Sequence, residues 1–332
     1  MKQQPTILAV TSWGGACGIA EYARMVIEHQ PTGGAAFWSP GDESLDPAWV
    51  ATREKGSIDL LWLNYHRGLH SRWTPEVVAS FKKHAPVVIT FHDTYGESAP
   101  DPLALQLHDL ADAFIVHEPC EGLPKAQLIR QGVLAAQPAV HYAACSDPGG
   151  YYFKAFDQQP VLGTCGFNFP WKNFDRLCEL TYEAGWAIVI LSNNATPEDV
   201  ARWQAKNPHS LIRTGFHSAS DIVAHLAGCD ASAFPYECSN SGTSGAIRLG
   251  LAARKPVIAL SSCRQFRDLV YIESDTCHGV TGVRWLEHMS DLLPMLAHMP
   301  IQRCAPGVVW HAHRDSWVKQ GARYAEIFRS LL

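Results

Sequence analysis

Short apolar runs alternate along the chain with longer stretches in which apolar positions return every three or four residues. Runs at 6–10, 35–39, 58–64, 86–91 and 113–117 are bounded by glycine, proline or polar residues, and so are later runs at 161–167, 187–191, 211–215, 231–234 and 256–260. Continuous β-branched runs of this length predict buried parallel strands. Between them, Ile19, Tyr22, Ala23, Val26 and Ile27 share one helical face, and similar spacing predicts helices over 72–85, 102–111, 125–131, 173–184, 197–206, 220–228 and 243–253. Strand alternating with helix implies parallel sheets covered on both faces. The closing segment, 315–332, places Trp317, Gly321, Tyr324, Phe328 and Leu331 on one stripe, which predicts an amphipathic helix docked on an apolar surface.

The alternation breaks between 137 and 159, where Pro138, Pro148, Gly149, Gly150 and the following Pro160 leave no helical period. A linker there divides the chain into domains at 1–147 and 148–314, followed by the terminal helix at 315–332. A chain of 332 residues is long enough for two cores. With 47% hydrophobic and 18% charged residues it is a folding sequence, and a net charge of −5 argues against broad binding to nucleic acid or an anionic membrane. The start, MKQQPTILAV, reads as a first strand rather than a signal peptide, and no apolar run is long enough for a membrane-spanning helix. The 10 cysteines stand singly with no CxxC pair, as in a reducing cytoplasm. His311 and His313 lack further ligands at metal spacing, so no metal is expected.

Candidate chemistry collects where predicted strands end. The stretch FPYECSNSGTSGAIRLGLAARKPVIAL at 234–260 reads as strand, small polar loop, helix and strand. Its loop brings Ser241, Gly242, Thr243 and Ser244 to a helix start, where unpartnered amides and the helix dipole suit a phosphate; a simple Ser or Thr cap with a packing glycine fits as well. Gly14 and Gly15 form a glycine-rich turn without the full GxGxxG spacing. His92 and Asp93 follow a buried strand at the end where open α/β sheets bind ligands; the alternative is a turn cap and a satisfied loop histidine. Lys172 sits between a strand and a helix, either as a mobile cation for a diphosphate or as an exposed helix-start lysine. Trp13, Trp62, Tyr65, Trp73 and Trp171 suit packing or stacking on a sugar ring.

Four stretches, in order, carry a resemblance: GGACGIAEYARMV at 14–26, VVITFHDTY at 87–95, LGTCGFNFPWKNFDRLCEL at 162–180, and the 234–260 segment. Together with the closing DSWVKQGARYAEIFRSLL, the chain resembles the retaining GT-B glycosyltransferases of family 4, or group 1. The resemblance implies an α/β GT-B fold, with two Rossmann-like domains facing a central cleft and a C-terminal helix crossing back to the N-terminal domain. It implies a hexosyltransferase moving a sugar from a nucleotide diphosphate donor to a hydroxyl acceptor: a saccharide, a lipid-linked saccharide or a modified base of phage DNA. Gly14, Gly15 and Lys172 would then hold the diphosphate; Gly242, Thr243 and Ser244 would offer it amides; His92, with Asp93, would face the transferred sugar.

The chain departs from the pattern in two respects. The two glutamates usual around this helix start align with Ser241 and Leu249, leaving Glu237 as a substitute carboxylate, and Phe167 and Asn168 occupy the region of the usual arginine. A non-catalytic nucleotide-sugar-binding protein is therefore the alternative. No DxD occurs in the chain, consistent with a leaving group stabilised without metal or other cofactor. The expected placement is cytoplasmic, with peripheral membrane contact if the acceptor is lipid-linked, and no obligate protein partner is indicated.

Overall fold

The computed structural model describes residues 4–13, 17–31, 35–38, 41–54, 58–92, 102–117, 122–135, 137, 159–237, 244–270, 282–299 and 306–332. They form two compact units: residues up to Gly132 together with Trp317–Leu332, and residues from Val133 to Ser316. Each unit is built on a parallel sheet of six strands.

The first sheet contains β1 (Thr6–Val10), β2 (Ala36–Trp38), β3 (Leu60–Tyr65), β4 (Val87–Phe91), β5 (Ala113–Val116) and β6 (Ala126–Leu128), in the order β2-β1-β3-β4-β5-β6. Every residue of β3 and β4 is buried, as helices on both faces require. The helices are α1 (Gly18–His29), α2 (Pro47–Glu54), α3 (Pro75–Lys82) and α4 (Pro102–Leu110). The helical period over 72–85 is realised only from Pro75: Trp73 is fully buried and Thr74 caps the helix, accepting from the Val77 amide. The helix expected over 125–131 is instead β6, whose register Phe114↔Ala126 to Val116↔Leu128 extends the sheet by one edge strand. Pairing with β5 outweighs the weak helical propensity of so short a stretch.

In the second unit β7 (Val161–Cys165), β8 (Ala187–Ser192), β9 (Ser210–Thr214), β10 (Ala231–Phe234), β11 (Val257–Leu260) and β12 (Val283–Leu286) run in the order β12-β11-β10-β7-β8-β9. They are covered by α5 (Phe174–Glu183), α6 (Pro197–Lys206), α7 (Ala219–Gly228), α8 (Gly245–Ala252), α9 (Leu292–His298) and α10 (Pro306–Arg314). Separate apolar clusters pack on the two faces, one under α7 and α8 and the other under α5 and α6.

The last helix, α11 (Trp317–Leu331), packs on α1 and belongs to the first unit. Its approach is close: a Cβ on Gly321 would lie 2.5 Å from the His29 carbonyl carbon. Tyr324, fully buried, binds the helix through polar atoms as well. Its hydroxyl lies 3.0 Å from the Tyr22 hydroxyl and 2.7 Å from Thr90 Oγ1, to which Trp62 Nε1 donates at 3.1 Å. No helix among the described residues is long and apolar enough to cross a membrane.

Candidate functional site

In the second unit the site forms where β7 and its neighbour β10 end. Beyond Cys165 the chain turns at Gly166 (φ +126°), and a 3₁₀ turn, Pro170–Lys172, leads through Asn173 (φ 58°) into α5. Asparagine tolerates this left-handed conformation, and here its Nδ2 donates to Pro235 O at 2.9 Å. The Glu237 amide donates to Trp171 O at 2.8 Å, so the turn is fastened twice to the segment leaving β10. Lys172 folds back instead of entering solvent and is only 5% exposed. Its Nζ lies 4.8 Å from the Tyr236 ring centroid and 5.4 Å from that of Trp171. Tyr236 is itself buried and fixed by its hydroxyl, which donates to Cys165 O at 3.0 Å. A Cβ at Gly166, the residue that follows β7, would collide with the ammonium group, so a glycine there leaves the lysine its place. Burying a cation is costly unless partners stabilise it, and aromatic faces contribute up to about 2 kcal/mol when desolvated. The exposed helix-start lysine is thus not what forms.

Around this cation, Cys165 is buried, its thiol pushed up to about 12 by loss of solvent despite Lys172 nearby. Phe169, 43% exposed, stacks on Trp171 at 5.4 Å. Ser244 stands at the N-cap of α8 and is buried, but its side chain makes no cap and its amide donates to Gln265 O at 3.2 Å. That amide is thus engaged within the protein. Glu237 is exposed. Leu249, where the family resemblance implies a glutamate, packs against the apolar core. Beside it, Arg248 forms a buried ion pair with Asp268, which an arginine within the apolar run of α8 could have signalled. Ser241, Gly242 and Thr243 lie outside the described residues, as do Gly14, Gly15 and Asp93.

The first unit gathers a second set of polar groups at the carboxyl ends of its strands. Thr11 and Ser12 follow β1, Asn64 lies near the end of β3, His66 and His70 follow it, and His92 and His117 follow β4 and β5. Thr11, Asn64 and His70 are fully buried, and Ser12 and His117 nearly so. Thr11 Oγ1, Ser12 Oγ, both amide atoms of Asn64, His70 Nε2 and His92 Nε2 are buried with no hydrogen-bond partner among the described residues. Since buried polar groups are nearly always satisfied, these atoms call for partners beyond the described residues, ordered water or a polyhydroxylated ligand among them. His92 is fastened by its amide to Tyr65 O at 2.9 Å, by its ring to His117 at 3.2 Å, and by an edge contact to Tyr22 at 5.0 Å. Burial first, and then His117, His66 and His70, hold it well below the usual histidine range, so it is neutral. His70 is brought to about 4 by the same burial. His66, His70 and His117 were not anticipated, although the strand-end rule that selected His92 applies to them equally. Trp62, Tyr65 and Trp73 are buried packing residues. Trp13 is partly exposed, its Nε1 donating to Ala9 O at 3.1 Å.

No protein-family model and no curated protein sequence matches the chain. Solved structures do. AviGT4, a glycosyltransferase involved in avilamycin A biosynthesis, matches over 99% of this chain and 97% of its own, with TM-score 0.58 and 13% identity. The lipopolysaccharide outer core galactosyltransferase WaaB matches over 99% of both chains, with TM-score 0.60 and 8% identity. MurG of Acinetobacter baumannii matches over 99% of this chain and 100% of its own, with TM-score 0.55 and 10% identity. The chain therefore has the GT-B fold, as its sequence motifs lead one to expect. At these identities the likeness establishes architecture, and the chemistry rests on the chain's own residues.

Proposed function

We propose that the protein is a glycosyltransferase that moves a hexose from a nucleotide diphosphate sugar to a hydroxyl acceptor. The observation that carries this reading is Lys172, a buried cation held by Tyr236 and Gly166 at the carboxyl end of β7. Transfer breaks the bond between the anomeric carbon and the diphosphate oxygen, and the electron pair leaves with the nucleoside diphosphate. A new bond forms to the acceptor oxygen, whose proton passes to the departing phosphate. The step demands stabilisation of that growing negative charge, and a preorganised cation in a poorly hydrated site supplies it. The proposal takes anomeric configuration as retained and turnover as independent of metal. The orphaned polar atoms of the first unit then serve the hydroxyls of sugar or acceptor, with His92 among them.

Leu249, half-buried against the core at a position where the family resemblance implies a glutamate, favours a second reading, in which the chain binds nucleotide sugars without turning them over. A thermal-shift screen with UDP, GDP, ADP, CDP and dTDP and their hexose conjugates, with and without EDTA, tests the donor site, because a ligand of the native state raises Tm. A shift by one nucleotide, unchanged by EDTA, supports the donor assignment, and release of that nucleotide with an acceptor panel selects the first reading. No shift with any nucleotide overturns both.

A further inference from the structure

His117 Nδ1 lies 2.8 Å from Ile129 O, and a carbonyl oxygen only accepts, so this nitrogen carries a proton. In a neutral His117 the other nitrogen, Nε2, is then an acceptor. It faces His92 Nδ1 at 3.2 Å, which must donate. His92 Nε2 is consequently left with a lone pair, and it is this buried atom that meets no partner among the described residues. The relay thus runs one way: His92 Nδ1–H to His117 Nε2, and His117 Nδ1–H to the backbone of the residue following β6. Neighbouring groups reinforce it. His66 and His70 stand on the turn after β3, and Tyr22 presents its ring from α1. A proton on His92 would add charge among imidazoles in a desolvated place.

We propose that His117 is a positioning residue that locks His92 in the Nδ1–H tautomer, so that His92 acts on substrate as a hydrogen-bond acceptor. It therefore recognises an O–H hydrogen of a neutral, hydroxyl-bearing ligand and rejects phosphate or carboxylate oxygens, which would set lone pair against lone pair. The substrate side of this inference rests on the glycosyl-transfer reading; the relay itself does not. Since an imidazole can exchange donor and acceptor nitrogens at little intrinsic cost, the second histidine supplies the polarity that His92 alone lacks.

Long-range 1H–15N spectra of histidine-labelled protein report each ring nitrogen separately. At pH 7 His92 is expected to show a protonated Nδ1 and a bare Nε2, with His117 also protonated at Nδ1. In His117→Phe, with folding checked by circular dichroism, His92 is expected to gain Nε2–H population. His117→Gln, whose amide can accept from His92 and donate to Ile129 O, is expected to retain the wild-type pattern in larger part and remains informative should the phenylalanine variant not fold. Excess inorganic phosphate is expected to leave His92 neutral. An Nε2–H or doubly protonated His92 in the wild type, an unchanged tautomer in a folded His117→Phe, or protonation on adding phosphate overturns the proposal. A correct tautomer pattern in a protein that binds no nucleotide sugar leaves the relay standing and removes the functional reading instead.

Discussion

The Tyr236 ring centroid lies 4.8 Å from Lys172 Nζ, while the Tyr236 hydroxyl donates to the carbonyl of Cys165. One residue thus holds both the cation and the strand end over which the cation lies. If this cation stabilises the leaving diphosphate, Lys172→Ala lowers turnover on the order of 10²-fold and weakens nucleotide-dependent stabilisation in a thermal-shift assay. Tyr236→Phe keeps the ring and loses the hydrogen bond, so it has a smaller effect than Tyr236→Leu, which loses both. Equal nucleotide-induced shifts in Lys172→Ala and wild type remove the lysine from the site.

The joint between α1 and α11 is predicted to be sensitive to single atoms. Tyr324→Phe deletes the hydroxyl between Tyr22 and Thr90 and leaves buried groups without that partner, at a cost of about 1–3 kcal/mol. Gly321→Ala forces a methyl group against the His29 backbone and destabilises comparably or more. Urea unfolding midpoints of the two variants check both, and wild-type midpoints show that α11 is not seated as described.

The architecture was largely legible because buried parallel strands announce themselves as short unbroken apolar runs, and β3, β4 and β8 are of that kind. Two of the shorter elements were not: β6 is too short to carry a period, and α2 follows a polar loop with little apolar patterning. Lys172 and His92 could be singled out by their place after a strand. Their environments could not, since the burial of Lys172 depends on Tyr236, which is close in space through the pairing of β7 with β10 but far along the chain. The same holds for His92 and His117, joined by the pairing of β4 with β5. Arg248 was visible as a charge within an apolar run, but its partner Asp268 was not, because a sequence shows the charge and not what it meets.

Stability is predicted to fall as the medium is acidified below about pH 6.5. An unfolded histidine takes up a proton near its ordinary pKa of about 6.5. Folded His70 resists protonation down to about 4, chiefly through burial, with the shift of His225 to about 4 acting in the same direction. Between these values the unfolded state binds more protons, so stability declines with falling pH and the loss levels off below the folded pKa. For His70 the full loss is roughly 3 kcal/mol. Urea midpoints from pH 7.5 to 4.5 measure it, and His70→Leu should show a shallower decline. Identical slopes in the two proteins eliminate His70 as the source.

Arg248 and Asp268 test whether a buried ion pair tying α8 to the segment after β11 supports the fold or only fills space. Their side chains are 3% and 1% exposed, and Asp268 Oδ1 has no hydrogen-bond partner among the described residues. Desolvating both charges offsets much of their mutual attraction, so the pair contributes little net stability, yet removing one member strands the other in the interior. Asp268→Ala is therefore expected to destabilise by about 3–5 kcal/mol, whereas Arg248→Met combined with Asp268→Leu is expected to recover most of that loss. The double variant also separates stability from function: Arg248 adjoins Leu249, and the helix begins where a phosphate site was expected. If the double variant is stable and keeps its nucleotide-dependent shift in Tm, the pair is structural. If it is stable but loses that shift, the pair positions the start of α8 for the donor. A double variant as unstable as Asp268→Ala means that packing at these positions, rather than unpaired charge, sets the cost.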